Sequence, residues 1–321
     1  MTDAHWMARA IALGEEARGT TAPNPNVGCV IVRDGTLIAE GATQRGGRPH
    51  AEAVALAAAG ERARDATLYV TLEPCAHDSQ RGPACARSIV EAGLMRIVAA
   101  IGDPDPRTNG SGLDLLRGAG IYVEVGSGAE AARRSLAGYL TRQRLGRPHV
   151  TLKLAMSLDG KIATAAGESQ WITGEQARTD VHRERARCDM ILVGRGTFKA
   201  DRPTLDVRIP GLEDRSPRRA LLSRRKAPEG WEWVSSPEAI HELEGVNDLL
   251  IEGGAETAAA FLAADLVDRL IIYRAPILIG DGLDAIGAIG LSRLSGAHGR
   301  WQPIAFDTLG SDRREVYERR R

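Results

Sequence analysis

Three side chains able to bind a soft metal stand where short strand and helix signals meet early in this chain. They are His50 in His50-Ala51-Glu52, Cys75 in Glu73-Pro74-Cys75, and Cys85. Any fold of the sequence has to bring them to one point if they share an ion. A catalytic zinc takes three protein ligands and keeps one position open for water, whose pKa it lowers towards ~7. One imidazole and two thiolates meet that requirement. Glu52 lies two residues beyond His50, at the start of a helix signal. It can face the water without being a ligand and so carry a proton. His-x-Glu followed by Pro-Cys is the logic of zinc enzymes that deaminate an aminated ring carbon. Here nine residues separate Cys75 from Cys85, so the short spacing of that motif is absent. Cys85 still precedes the helix signal ARSIVEAG, whose N-terminus favours a thiolate. A single His or Cys is ordinarily structural. The conjunction is much rarer, and a purely structural zinc clip leaves Glu52 unexplained.

The surrounding pattern is α/β. VGCVIV (27–32), TLYVTL (67–72), RIVAAI (96–101) and IYVEV (121–125) read as strands, and an Asp-Gly turn joins the first to TLIAEG as a hairpin. AEAVALAAAGERA (51–63) and ARSIVEAG (86–93) read as helices, and AEAARRSLAGYLTRQRL (129–145) as one long helix. Gly146-Arg147-Pro148 breaks the pattern and sets the expected boundary between a domain over 1–146 and another over 147–321. A second α/β series follows: strands at HVTLKLAM, DMILVG and LLIEGG, a helix over 175–187, and a long strand region over 266–280 interrupted at Pro276. Acidic and basic residues balance at 42 each, which gives no global charge for nucleic acid or an anionic membrane. No apolar run reaches the ~20 residues that span a bilayer, and the N-terminus lacks the features of a secretion signal. The expected compartment is the cytoplasm, where four cysteines suggest thiol or metal chemistry before disulfides.

With these motifs in place, the chain resembles the bifunctional deaminase–reductases of riboflavin biosynthesis. The likeness is carried by APNPNVGCVIV (22–32), PHAEAVAL (49–56), TLEPCAH (71–77) and DPDPRTNGSGLDLLRGAGIYVEVG (103–126). In the second half it is carried by 147–178, DMILVGRGTF (189–198) and LLIEGGAETAAAFL (249–262). The resemblance implies a cytidine-deaminase-like three-layer domain followed by a dihydrofolate-reductase-like α/β domain. It implies deamination of 2,5-diamino-6-ribosylamino-4-pyrimidinone 5′-phosphate, then NADPH reduction of its ribosyl group to ribityl, in a homodimer. Asn24, His77 and Arg81 fall at substrate positions of the first domain. Lys153, Ser169, Trp171, Arg185, Leu205, Arg208 and Glu252 do so in the second, with Asp201 as its catalytic acid–base group. Thr173, Gly194, Gly196, Thr197, Ser223, Gly253 and Gly254 fall at cofactor positions. Four departures stand out: the loop before Cys85 is one residue longer; Thr43 replaces the family's usual His; Asp201-Arg202-Pro203 keeps only the first Asp of the usual Asp-Asp-Pro; and 208–247 is much shortened.

The residues of the second half say less on their own. Gly194-Arg195-Gly196 and Gly253-Gly254 each follow a strand and precede a helix signal, a construction that lets backbone amides approach phosphate, although tight turns need glycine anyway. Trp171 can stack on a pyrimidine, but packing is the commoner use of a tryptophan. Lys153 reads equally as a solvated edge lysine and Asp201 as an ordinary turn residue. Arg224, Arg225 and Lys226 can meet a 2′-phosphate, but a solvated basic loop is the commoner use of such a run; His182 reads as a solvated helix residue, and Cys29 and Cys188 as core thiols. The terminal ERRR reads as a solvated tail, and the apolar length of 266–280 is the only direct sign of a dimer surface. Three rivals remain: a nucleic-acid base deaminase, a monofunctional deaminase with a degenerate reductase-like assembly domain, and a non-catalytic zinc scaffold.

Overall fold

Strands that read as unbroken apolar runs belong in a sheet covered on both faces. In the computed structural model, which describes residues 1–78 and 82–321, the first compact unit, Met1–Gly146, is built that way. Its elements are α1 (Asp3–Ala17), β1 (Gly28–Arg33), β2 (Thr36–Ala42), α2 (Ala51–Ala59), β3 (Thr67–Val70), α3 (Cys85–Glu91), β4 (Arg96–Ala99), α4 (Ser111–Gly118), β5 (Tyr122–Val125), α5 (Ala129–Ser135) and α6 (Ala137–Leu145). The sheet order is β2-β1-β3-β4-β5. Successive side chains of a strand point to opposite faces. Cys29, Ile31, Leu68, Val70, Ile97 and Ala99 accordingly pack in one cluster with Ala51 and Ala55 of α2 and Ile89 of α3. Val30, Val32, Tyr69 and Val98 pack on the other side with Trp6, Met7 and Ala10 of α1 and Ala132 of α5. This is the three-layer arrangement expected of the domain. One local reading fails: the helix expected over 129–145 is two helices, because Leu136 (φ −91°, ψ 12°) interrupts it. Leu136 is fully buried, and the kink seats it in the core.

The second unit, Arg147–Arg321, contains β6 (His149–Met156), β7 (Lys161–Thr164), α7 (Glu175–Arg185), β8 (Met190–Gly194), α8 (Arg195–Asp201), β9 (Arg218–Leu222), β10 (Glu232–Val234), β11 (Asp248–Ile251), α9 (Ala255–Ala263), β12 (Arg269–Arg274), β13 (Gly282–Asp284), β14 (Trp301–Leu309) and β15 (Asp312–Arg319). Its main sheet has the order β10-β9-β8-β11-β6-β12-β15-β14. Pairing is parallel from β10 to β12 and antiparallel at β15 and β14. The stretch expected to be shortened carries strands β9 and β10 followed by a 3-10 turn, Pro237–Glu242. The long strand expected over 266–280 ends at Arg274, before Pro276. It lies between β6 and β15, so the apolar length of 269–274 is that of a core strand. The terminal ERRR is not a free tail: Glu318 and Arg319 belong to β15, and Arg319 pairs with Asp265 at 2.8 Å. Among the described residues, no helix is long and apolar enough to cross a membrane.

At the start of this unit Arg147 grips Asp268 through two bonds of 2.6 and 2.9 Å, both side chains being buried. Burial pushes the Asp268 carboxyl up, but Arg147 outweighs it and the net result is about 2. Arg147→Met leaves a buried carboxylate short of its main partner and is expected to cost about 3 kcal/mol in urea unfolding. The stabilisation from a lowered carboxyl is present above its ordinary range and disappears as pH falls towards 2. A variant as stable as the parent at neutral pH would contradict this.

Candidate functional site

The three expected zinc ligands converge. His50 directly precedes α2, Cys85 opens α3, and Cys75 follows β3, so three adjacent elements deliver one ligand each. Their ligand atoms all lie within 4.8 Å of one another. His50 Nδ1 is 3.3 Å from Cys85 Sγ and 3.7 Å from Cys75 Sγ, so this nitrogen faces the sulfurs. The Cys85 backbone N–H donates to Cys75 Sγ at 3.3 Å. A hydrogen bond from the Cys85 thiol, helped by His50, pulls the Cys75 thiol down to about 4, while the same bond holds Cys85 up. One nitrogen and two sulfurs, inward-facing and close-set, fit a tetrahedral zinc with one open position. The longer loop before Cys85 has not turned that side chain away.

Glu52 sits in the first turn of α2, buried at 4 % exposure, and burial pushes its carboxyl up to about 7. Asn24 donates to Gly47 O at 2.8 Å, and its amide nitrogen lies 3.2 Å from His50 Nε2, which places it behind the imidazole. His77 Nδ1 is buried with no protein partner. Arg81 falls within 79–81, outside the described residues. Thr43 is turned inward: its hydroxyl accepts the Val27 N–H at 3.1 Å.

Sequence reasoning quoted Glu73 without seeing its task. Its carboxylate accepts four backbone N–H groups: Asp103 at 3.1 Å, Gly110 at 3.0 Å, Gly112 at 3.0 Å and Leu113 at 3.3 Å. It thereby closes the N-terminus of α4 and ties that loop to the strand end carrying Cys75. A Cβ on Gly112 would lie 2.0 Å from Pro74 O, so only glycine permits this approach. The one clue in the sequence was a glutamate inside an otherwise metal-binding motif.

In the second unit the residues expected at the substrate and cofactor positions line one cleft of about 1880 Å³. Lys153, Ser169, Trp171, Arg185, Leu205, Arg208 and Glu252 are there, as are Asp201, Thr173, Thr197 and Ser223. Lys153 is no edge lysine: β6 is an inner strand, and its ammonium lies 3.9 Å from Glu252. Burial lowers the Lys153 pKa. Burial also pushes the Glu252 carboxyl up, but Arg185, bonded at 2.7 and 2.9 Å, outweighs it and the net shift is down. Trp171 is 65 % exposed, with the Arg178 guanidinium 4.8 Å from its ring centre, which makes it a cleft platform and not core packing. His182 is not a freely solvated residue; its Nδ1 lies 3.1 Å from Asp206 O and 3.3 Å from the Arg208 backbone nitrogen, where it bonds one or the other, and it faces the same cleft. Arg202 and Leu205, at φ 43° and 58°, shape the turn after Asp201, an unusual conformation for non-glycine residues that tends to mark functional loops.

The four glycines divide by role. A Cβ on Gly194 or Gly253 would strike the Thr257 side chain, at 2.1 and 2.5 Å, so these two serve close packing against α9. On Gly196 a Cβ would meet nothing within 4 Å, and on Gly254 only Thr197 Oγ1 at 3.8 Å. These two leave open space in the cleft, which suits a dinucleotide.

Such a pair of sites defines a class, the zinc deaminases of aminated ring carbons, here joined in one chain to a nucleotide-dependent reductase. Residues 1–101 match the family model of the cytidine and deoxycytidylate deaminase zinc-binding region, and residues 148–312 match that of the RibD C-terminal domain. The riboflavin biosynthesis protein RibD of Escherichia coli (strain K12) is 40 % identical, with 92 % of this chain and 94 % of that protein covered. Acinetobacter baumannii RibD superposes with a TM-score of 0.87 at 37 % identity, covering 99 % of both chains. A Thermotoga maritima diaminohydroxyphosphoribosylaminopyrimidine deaminase/5-amino-6-(5-phosphoribosylamino)uracil reductase superposes with a TM-score of 0.89 at 31 % identity, again over 99 % of both chains. The chain belongs to the RibD family of riboflavin biosynthesis and is a bifunctional enzyme, a zinc-dependent deaminase joined to an NADPH-dependent reductase.

Proposed function

We propose that the first unit converts 2,5-diamino-6-ribosylamino-4-pyrimidinone 5′-phosphate to the corresponding uracil, and that the second reduces the ribosyl group of that product. The convergence of His50, Cys75 and Cys85, with the buried Glu52 carboxyl beside them, carries the first half of this reading. Zinc supplies the Lewis acid that makes water nucleophilic at neutral pH. His50, Cys75 and Cys85 would hold it. Glu52 would take one proton from the attacking water and pass it to the ring nitrogen, then take the second from the hydroxyl added to the ring carbon and pass it to the amine, which leaves as ammonia while the carbonyl forms. Asn24 orients His50 from behind, and the unpartnered His77 Nδ1 is available to the substrate.

In the reductase unit NADPH supplies the hydride. Gly196 and Gly254 leave room for the cofactor, beside Thr173, Thr197 and Ser223. Trp171 offers an exposed face for the pyrimidine, and Lys153, held by Glu252 and Arg185, faces the same space. Asp201 gives a proton to the ribose oxygen as the ring opens. Asp201→Asn is therefore expected to slow NADPH oxidation by about 10²-fold or more while ammonia release continues. A variant with parental NADPH oxidation would remove Asp201 from that role. Incubation with the diaminopyrimidine ribotide, with and without NADPH, tests the whole scheme. Ammonia is expected in both tubes and NADPH oxidation only in the second. NADPH left untouched even with aminouracil ribotide supplied would favour the monofunctional alternative.

The enzyme is further proposed to be a homodimer. With β12 enclosed, support comes from the segment after it, where Ile277 is 41 % and Leu278 74 % exposed. Light scattering is expected to give twice the chain mass, and a monomer at every concentration would refute this. The cytoplasm is the proposed compartment, consistent with four free, buried cysteines.

A further inference from the structure

We infer that Arg178 is a positioning residue of the reductase, which holds the Trp171 indole in place as the face that receives the substrate's pyrimidine. The inference rests on the reading that Trp171 meets the pyrimidine. Trp171 lies in the segment that joins β7 to α7, and it lines the cleft. It is 65 % exposed, so core packing contributes little to fixing its ring. Hydrogen bonds fix the segment at its two ends. At the start, the Thr164 N–H donates to Glu168 O at 2.9 Å, and the Glu168 N–H donates to Thr164 Oγ1 at 3.2 Å. At the end, the Gly174 N–H donates to Asp312 Oδ2 at 2.6 Å, and Asp312 is buried at the head of β15. Arg178, near the start of α7, adds a third hold. Its Nη1 donates to Thr173 O at 2.7 Å, and its guanidinium carbon lies 4.8 Å from the centre of the Trp171 ring. One side chain thus ties the exposed ring to the backbone that follows it.

Among the described residues no carboxylate pairs with Arg178, whereas two other arginines of α7 each have one: Arg183 lies 4.0 Å from Asp180, and Arg185 lies 2.7 Å from Glu252. The Arg178 charge is left to the indole, and a cation within about 6 Å of a ring centre is attracted by the negative π face. A planar guanidinium meets both demands at once, one N–H taking the carbonyl while the delocalised charge stays by the ring. A lysine offers one point charge and cannot hold ring and carbonyl in the same way. An exposed side chain that is ordered only when a ligand covers it weakens binding by the freedom it loses. With Arg178 in place, the indole has lost that freedom before the substrate arrives. The effect therefore falls on binding, while the hydride step belongs to the cofactor.

The test follows NADPH oxidation by the full-length protein with aminouracil ribotide varied, for the parent, Arg178→Met, Trp171→Ala and the double variant. NADPH dissociation constants are measured on the same proteins by nucleotide fluorescence. Arg178→Met is expected to raise KM about 10-fold with kcat within ~3-fold, the signature of binding lost equally in the ground and transition states. NADPH affinity should stay within ~3-fold, which serves as the control for folding of the second unit. Trp171→Ala should raise KM at least as much, and the double variant should match Trp171→Ala within ~2-fold, because an arginine that acts through the indole has no effect without it. Arg178→Lys is expected to show the same pattern at about 3-fold, and it carries the test if the methionine variant does not fold. KM and NADPH affinity both unchanged in Arg178→Met, a fall confined to kcat, or a double variant whose loss is the product of the two single losses overturns the positioning role. A loss of NADPH affinity in place of a raised KM, in Arg178→Met and Trp171→Ala alike, overturns the pyrimidine reading of Trp171 on which the inference rests.

Discussion

Glu52→Gln is expected to lower ammonia release by about 10²- to 10⁴-fold while zinc content stays at the parental level. The amide keeps the size and most of the hydrogen bonding of the carboxyl but cannot carry a proton. The parent carboxyl, pushed by burial to about 7, both accepts and donates a proton at neutral pH. Reduction of supplied aminouracil ribotide should be unaffected, because the residues assigned to it belong to the other compact unit. Loss of both reactions to the same degree, in folded protein given both substrates, would show that the two-site reading is wrong.

Cys75→Ser is expected to remove most of the zinc and, with it, deamination. The parent should hold about one zinc per chain by metal analysis. A serine hydroxyl is a poor ligand because it stays protonated where the thiol does not: Cys75 is held near 4 by its neighbours. Chelation of the parent should reproduce the loss, and added zinc should restore activity to the parent but not to the variant. NADPH binding is expected to survive both treatments. Full zinc in the variant would mean that the ligand set is not His50, Cys75 and Cys85.

The proposed zinc site was legible because its candidate ligands are chemically rare and Glu52, the proposed proton carrier, sits at a fixed offset. Glu52 lies in the first turn of the helix that follows His50, so spacing along the chain sufficed. The strands of both units were legible for a related reason: VGCVIV, RIVAAI and DMILVG are apolar on both faces, and only a covered sheet hides both. The reductase residues were named through family resemblance, since a cofactor that brings its own hydride leaves little chemistry written in the protein. The side-chain bond made by Arg195 escaped both routes. The partner, Ser223, is 28 residues away and meets it only because β8 and β9 are adjacent.

By itself the sequence determined the chemical inventory and the alternation of strand and helix, because side-chain type and local periodicity are properties of neighbours along the chain. It marked the break at Gly146-Arg147-Pro148 and the residues that a zinc deaminase requires. Only tertiary structure decided what depends on distant segments. Leu136 splits one expected helix because the core claims its side chain. Glu73 became a clamp because a loop beginning 30 residues later offers it four N–H groups. Lys153 turned from a surface lysine into a buried cleft residue once β6 was flanked by β11 and β12. Residues 269–274 of the apolar 266–280 segment were claimed by the core for the same reason. Packing assigns each group its dielectric surroundings and its partners, and those are set by contacts between segments that no local pattern encodes.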